Sequence, residues 1–229
     1  MNFIHNFCKV TFLISLLVIS GCGMPHMYKS QEIHGWVIDA DTKKPVSNVV
    51  VLIAWGLEGG WHIDHTGYLV IEETVTDEDG YYRFESWGPK FTTDELRSYD
   101  PEINYIKMGY LPEGRFNESI APYNRTWSNH SEWTDKTIEL QVFDNRLSGG
   151  IKEYENKVSG FASVLQPTSG REAFICVWKK VPRFTATLIN FKYMFNKYGI
   201  NSSLPDINQL KHKSCADPQD ILGEYLEKD

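Results

Sequence analysis

The chain lacks an apolar run long enough to cross a membrane. Its longest apolar stretch near the start, Val10 to Ile19, falls well short of the roughly 20 residues a spanning helix needs. It also lacks excess basic charge: 23 Lys and Arg stand against 30 Asp and Glu, a net charge of −7, which argues against nucleic-acid binding. Catalytic signatures are missing too. None of the seven histidines sits in His-x-x-Glu or His-Glu-x-x-His, and no Gly-x-Ser-x-Gly, phosphate loop or dinucleotide fingerprint occurs. Cysteine is scarce at four residues, too few for a disulfide-dense scaffold. Against these absences stands an abundance of aromatics, with seven Trp and twelve Tyr, which suits a β-rich fold.

The first 22 residues have their own logic. Lys9 precedes the short apolar core, small residues Ser20 and Gly21 follow, and then comes Cys22. That order is expected of an export signal and is set aside from the fold. Ile19-Ser20-Gly21-Cys22 resembles a bacterial lipobox. The resemblance implies cleavage before Cys22, acylation (palmitate included) of that residue and a membrane tether. With Gly23 rather than Asp next, it also implies delivery to the outer membrane, facing the periplasm. Removing residues 1–21 would leave 208 residues with a charge of −8. In an oxidising compartment Cys176 and Cys215 form an even pair, expected as a disulfide; two free buried thiols are the competing reading.

Residues 22–31 read as a polar tether. Strand patterns then follow: Ile33 to Ile38, a polar turn ending at Pro45, and the β-branched run Val49 to Trp55, typical of a strand buried on both faces. Tyr68 to Thr76 continues in strand-like composition. Asp77-Glu78-Asp79-Gly80 reads as a hairpin turn, and its likeness to a calcium loop fails because Gly88 stands where a closing Glu is needed. Tyr81 to Trp87 alternates with period two. Residues 88–101 read as a loop with one helical turn, Ile103 to Met108 as a strand, 112–136 as a long loop, and Thr137 to Phe143 as the last strand. Beyond Asn145, residues 146–168 read as loop and Ser169 to Val181 as a helix. From Pro182 a second helix carries Phe184, Leu188, Phe191, Phe195 and Tyr198 at helical spacing and ends at Gly199. Short helices are expected from Asp206 and from Asp217.

Gly35-Trp36-Val37-Ile38-Asp39, Thr42-Lys43-Lys44-Pro45-Val46, Val49-Val50-Val51, Thr76-Asp77-Glu78-Asp79-Gly80-Tyr81-Tyr82-Arg83-Phe84 and Ile106-Lys107-Met108-Gly109-Tyr110 together resemble the carboxypeptidase regulatory-like family. The resemblance implies a mainly β, transthyretin-like (Ig-like) sandwich over 32–145, followed by a helical segment over 146–229. It also implies a non-catalytic accessory role, with no cofactor. The chain departs from the family pattern at an insertion over 56–68 and in the expanded 112–136 loop.

Both departures hold candidate binding residues. Trp61, His62, Asp64 and His65 could offer two imidazoles and a carboxylate to zinc or copper, although no fourth ligand is evident. Trp127 and Trp133 lie in a polar loop where exposed indoles could stack on sugar rings; the competing reading folds them back onto the sandwich. The expected function is a non-enzymatic, lipid-anchored envelope module that binds a protein. Carbohydrate or peptidoglycan binding is the alternative, and metal binding through the His62/Asp64/His65 loop the third.

Overall fold

The computed structural model describes residues 25–59, 64–98, 100–115, 131–145, 150–165 and 176–226. Among these residues, ten strands precede the helices. They are β1 (His26–Ser30), β2 (Ile33–Asp39), β3 (Val50–Gly59), β4 (Asp64–Val75), β5 (Tyr81–Phe84), β6 (Trp87–Thr92), β7 (Glu95–Leu96), β8 (Glu102–Ile106), β9 (Glu113–Arg115) and β10 (Lys136–Leu140). The α-helices among the described residues are α1 (Gly150–Phe161), α2 (Pro182–Lys197) and α3 (Pro218–Leu222). The described residues also form 3-10 turns at Ala162–Leu165 and Val177–Lys180.

A mainly β sandwich with C-terminal helices results. The smaller sheet runs β10-β2-β5, with β10 parallel to β2, and the larger runs β4-β3-β8-β9, with β7 also paired to β3. Period-two alternation decides which side chains lie between the sheets. Ile33 and Val37 of β2, Tyr82 and Phe84 of β5, and Ile138 and Leu140 of β10 meet Val51, Ile53 and Trp55 of β3 and Ile103 and Tyr105 of β8. Gly35 lacks the Cβ that would strike the Tyr82 ring, so Tyr82 lies flat enough to share a 2.8 Å hydroxyl bond with Tyr105.

The alternate residues of β3 face the other way. Val50, Leu52 and Ala54, with Ile71 and Ile106, form a second core with Tyr154 and Val158 of α1 and Phe184, Leu188, Phe191 and Phe195 of α2. This is why the Val49 to Trp55 run is apolar without a break. The helices share a core with the larger sheet rather than enclosing one of their own. Cys176 and Cys215 are joined by a disulfide.

Several elements differ from the sequence reading. Residues 26–30, assigned to the tether, form β1 on β6, because Tyr28 turns inward and its hydroxyl accepts from the Leu96 amide at 3.3 Å. Gly80, at φ +71°, closes a turn as expected, yet that turn carries the chain from the larger sheet (β4) to the smaller (β5) instead of closing a paired hairpin. The 88–101 loop contains most of β6 and all of β7. Residues 150–161, read as loop, are helical, with Ile151, Tyr154 and Val158 on the core side. The described part of the helix expected over 169–181 is a 3-10 turn, and Asp206 opens only turns. Tyr198 lies exposed beyond the buried stripe of α2.

Candidate interaction site

Of the residues singled out in the sequence, Cys22, Trp61, His62 and Trp127 lie outside the described residues. Asp64 opens β4 near the end of the β3–β4 hairpin, where it pairs with Gly59; His65 pairs with Glu58. The insertion over 56–68 therefore lengthens a hairpin. Its base is braced by the 94–97 segment: Thr66 donates to Asp94 at 2.6 Å, the Arg97 amide to the Gly56 carbonyl at 2.9 Å, and Arg97 pairs with Glu58 at 3.3 Å. Burial and the Arg97 charge push the His65 imidazole below its usual pKa, so it is neutral at pH 7. Its ring meets Tyr68 edge-on at 5.0 Å. No group of three or more His, Cys, Asp or Glu able to hold a metal occurs among the described residues.

On the helix-facing side of the larger sheet the same region is polar. Glu102, pushed upward in pKa by burial, accepts a 2.7 Å bond from the Asn104 amide. Tyr68, raised by burial and by the Glu102 charge, donates to the Val164 carbonyl at 3.3 Å. Trp133 is half-buried. Its indole donates to the Pro101 carbonyl at 2.9 Å and its ring packs on the inter-sheet core, so it fastens the 131–135 segment to the sandwich edge.

The outer face of the smaller sheet carries the more open arrangement. Because Ile33, Gly35 and Val37 point inward, His34 and Trp36 must point out, and Tyr81 joins them from β5 opposite Trp36. Trp36 and Tyr81 have ring centroids 5.6 Å apart, and His34 lies 6.1 Å from Trp36 and 5.9 Å from Tyr81. Trp36 is 37% exposed. The rings are tilted at 42–90° to one another, so they form a ridged patch and not a flat platform.

Charges ring this patch and fix it. His34 sits between Glu32 at 3.0 Å and Asp135 at 2.8 Å, and the Asp135 amide also donates to the His34 carbonyl. Arg83 pairs with Glu32 at 2.7 Å and Glu85 at 3.0 Å; Lys43 pairs with Glu139 at 2.7 Å. These three aromatics were not among the sequence-based candidates. The signal that could have found them was the alternation of β2, which puts a Trp on the face opposite the core.

No family model matches the chain, and no curated protein matches it. Among solved structures, the pilus 2b backbone protein of group B streptococcus is similar at 13% identity and a TM-score of 0.28, over 54% of this chain and 42% of that one. The chain thus spans less than half of that protein. At this level the likeness carries no argument, and the β-sandwich stands on the strand layout described above.

Proposed function

We propose that the protein is a non-catalytic, lipid-anchored envelope protein that binds another envelope protein through the His34–Trp36–Tyr81 face. The carrying observation is that patch: an exposed Trp and a Tyr held on a rigid sheet, with Arg83 and a ring of ion pairs at the rim. Central aromatics inside a charged rim are the usual anatomy of a protein-binding hot spot.

The carboxypeptidase regulatory-like reading of the sandwich gains support from how its motif residues meet. Asp39 accepts from the Thr42 amide at 2.7 Å and from the Tyr110 hydroxyl at 3.2 Å, and the Val37 amide donates to the Gly80 carbonyl at 2.8 Å. Acylation of Cys22 and residence at the periplasmic face of the outer membrane complete the proposal, resting on the lipobox resemblance.

Cross-linking in intact cells tests it. One envelope protein should be recovered with the native chain and lost with Trp36→Ala. A hot-spot loss of about 2 kcal/mol would weaken binding roughly 30-fold. Recovery of peptidoglycan fragments alone, equally well with both forms, would refute the protein-binding reading.

A further inference from the structure

The fold begins almost at the proposed anchor. Only three residues separate Cys22 from the first residue of β1, His26. A fully extended chain advances at most about 3.6 Å per residue, so the Cα of His26 lies within about 14 Å of that of Cys22, and Met27 within about 18 Å. Acyl chains on Cys22 would therefore keep the start of the β1–β6 ribbon within about 18 Å of the anchored cysteine, close to the lipid surface. Only Gly23, Met24 and Pro25 are left to let the sandwich stand away from the bilayer.

The ribbon is built for that position. Met27 and Phe91 are directly paired across its two strands, and both turn outward, 44% and 65% exposed. Lys29 is exposed nearby, whereas exposed Lys90, paired with Tyr28, lies on the other face of the ribbon. Glu95 lies 3.9 Å from His26 and adds negative charge to the ribbon, so the apolar pair carries more of the contact than Lys29 does. On the inner side, buried Tyr28 and the edge-on contact of Trp87 with Trp55 at 5.0 Å fix the ribbon to the sandwich.

We infer that the β1–β6 ribbon is the protein's membrane contact, with Met27 and Phe91 seated at the headgroup–acyl boundary of the lipid surface that holds the anchor. This rests on the acylation of Cys22 proposed above. Short apolar surfaces flanked by lysine bind in that boundary by burying their apolar side chains among the first acyl methylenes.

The test uses the full-length protein in intact cells of a Gram-negative host, with the photo-reactive residue p-benzoylphenylalanine replacing Phe91 or, for comparison, the exposed Tyr198. Intact mass reads acylation of Cys22 in the same samples. With Cys22 acylated, irradiation should give phospholipid adducts at position 91, several-fold more than at position 198. The additional change Met27→Ser should lower the yield at 91 while leaving thermal unfolding unchanged. Acylated Cys22 with protein adducts, or none, at position 91 overturns the membrane contact and leaves the anchor standing. An unmodified Cys22 overturns the anchor, and the contact with it.

Discussion

Glu155 shows how one side chain ties distant parts of this chain together. It lies buried on α1 and accepts from Lys152 Nζ at 2.8 Å, Ser159 Oγ at 2.6 Å and Ser202 Oγ at 2.9 Å. Burial alone would raise its pKa; the bonds from these three groups and the Lys152 charge outweigh that and bring it down to about 2. The sign of the linkage follows. A carboxylate whose folded pKa is depressed stabilises the fold above its unfolded pKa, and that stability is lost as pH falls through the folded value. Unfolding free energy should therefore decline from about pH 5 towards pH 2 by roughly 2–3 kcal/mol from this group, and Glu155→Gln should flatten that slope in denaturant titrations. Glu155→Ala, which strands the buried Ser202 hydroxyl, should cost about 3 kcal/mol at pH 7, measured by the same titrations.

At the scale of elements, α2 is capped from outside itself. Val181 at its start offers no side-chain cap, and Pro182 follows. The free amides of Arg183 and Phe184 instead donate to the Glu73 carboxylate on β4, each at 2.8 Å. Glu73 pairs with Leu52, on the helix-facing side of the sheet. Glu73→Ala should lower stability by about 1–2 kcal/mol, seen as a shift in the denaturation midpoint without a change in slope. Nothing local announces such a cap, since its two halves are 110 residues apart. The elements that were legible in the sequence are those with a strong local period. The alternation of Tyr82 and Phe84 and the Phe184-Leu188-Phe191-Phe195 stripe show it, and the β3 run was legible instead by its unbroken β-branched composition.

Elements held by distant partners were not legible. β1 exists because β6 and Leu96 meet it, and β6 was hidden by Gly88 and Pro89, which punctuate it like a loop. α1 has glycines at 150 and 160 and only a sparse apolar stripe, so its helical nature depends on Tyr154 stacking on Phe143 at 4.1 Å and meeting Phe191 and Phe195 edge-on. The site followed the same rule. Outward-facing Trp36 was implied by alternation, but its meeting with His34 and Tyr81 required knowing that β2 pairs with β5.

At the scale of the whole molecule, two cores share the larger sheet, with β3, β4 and β8 each contributing side chains to both. The sandwich and the helical layer should therefore unfold together. Leu52→Ala empties a site between sheet and helices and should cost about 2–5 kcal/mol. Helical far-UV and aromatic near-UV signals should shift in step; helix loss ahead of the sheet would refute the coupling. Reducing the Cys176–Cys215 bond, which spans 39 residues, should remove about 4 kcal/mol in the chain-entropy picture, seen as a lower thermal midpoint in reductant.

The double burial of β3 carries a consequence for the protein before it folds. Val49-Val50-Val51-Leu52-Ile53-Ala54-Trp55 holds no charge, no proline and no glycine, because each of its side chains needs an apolar neighbour on one side or the other. A strand with a wet face would have room for a gatekeeping lysine; this one has none. Its composition matches the general signature of an aggregation-prone segment, a hazard when the chain is unfolded. Its protection is then temporal, depending on how soon β4 and β8 cover its edges once the chain is free to fold.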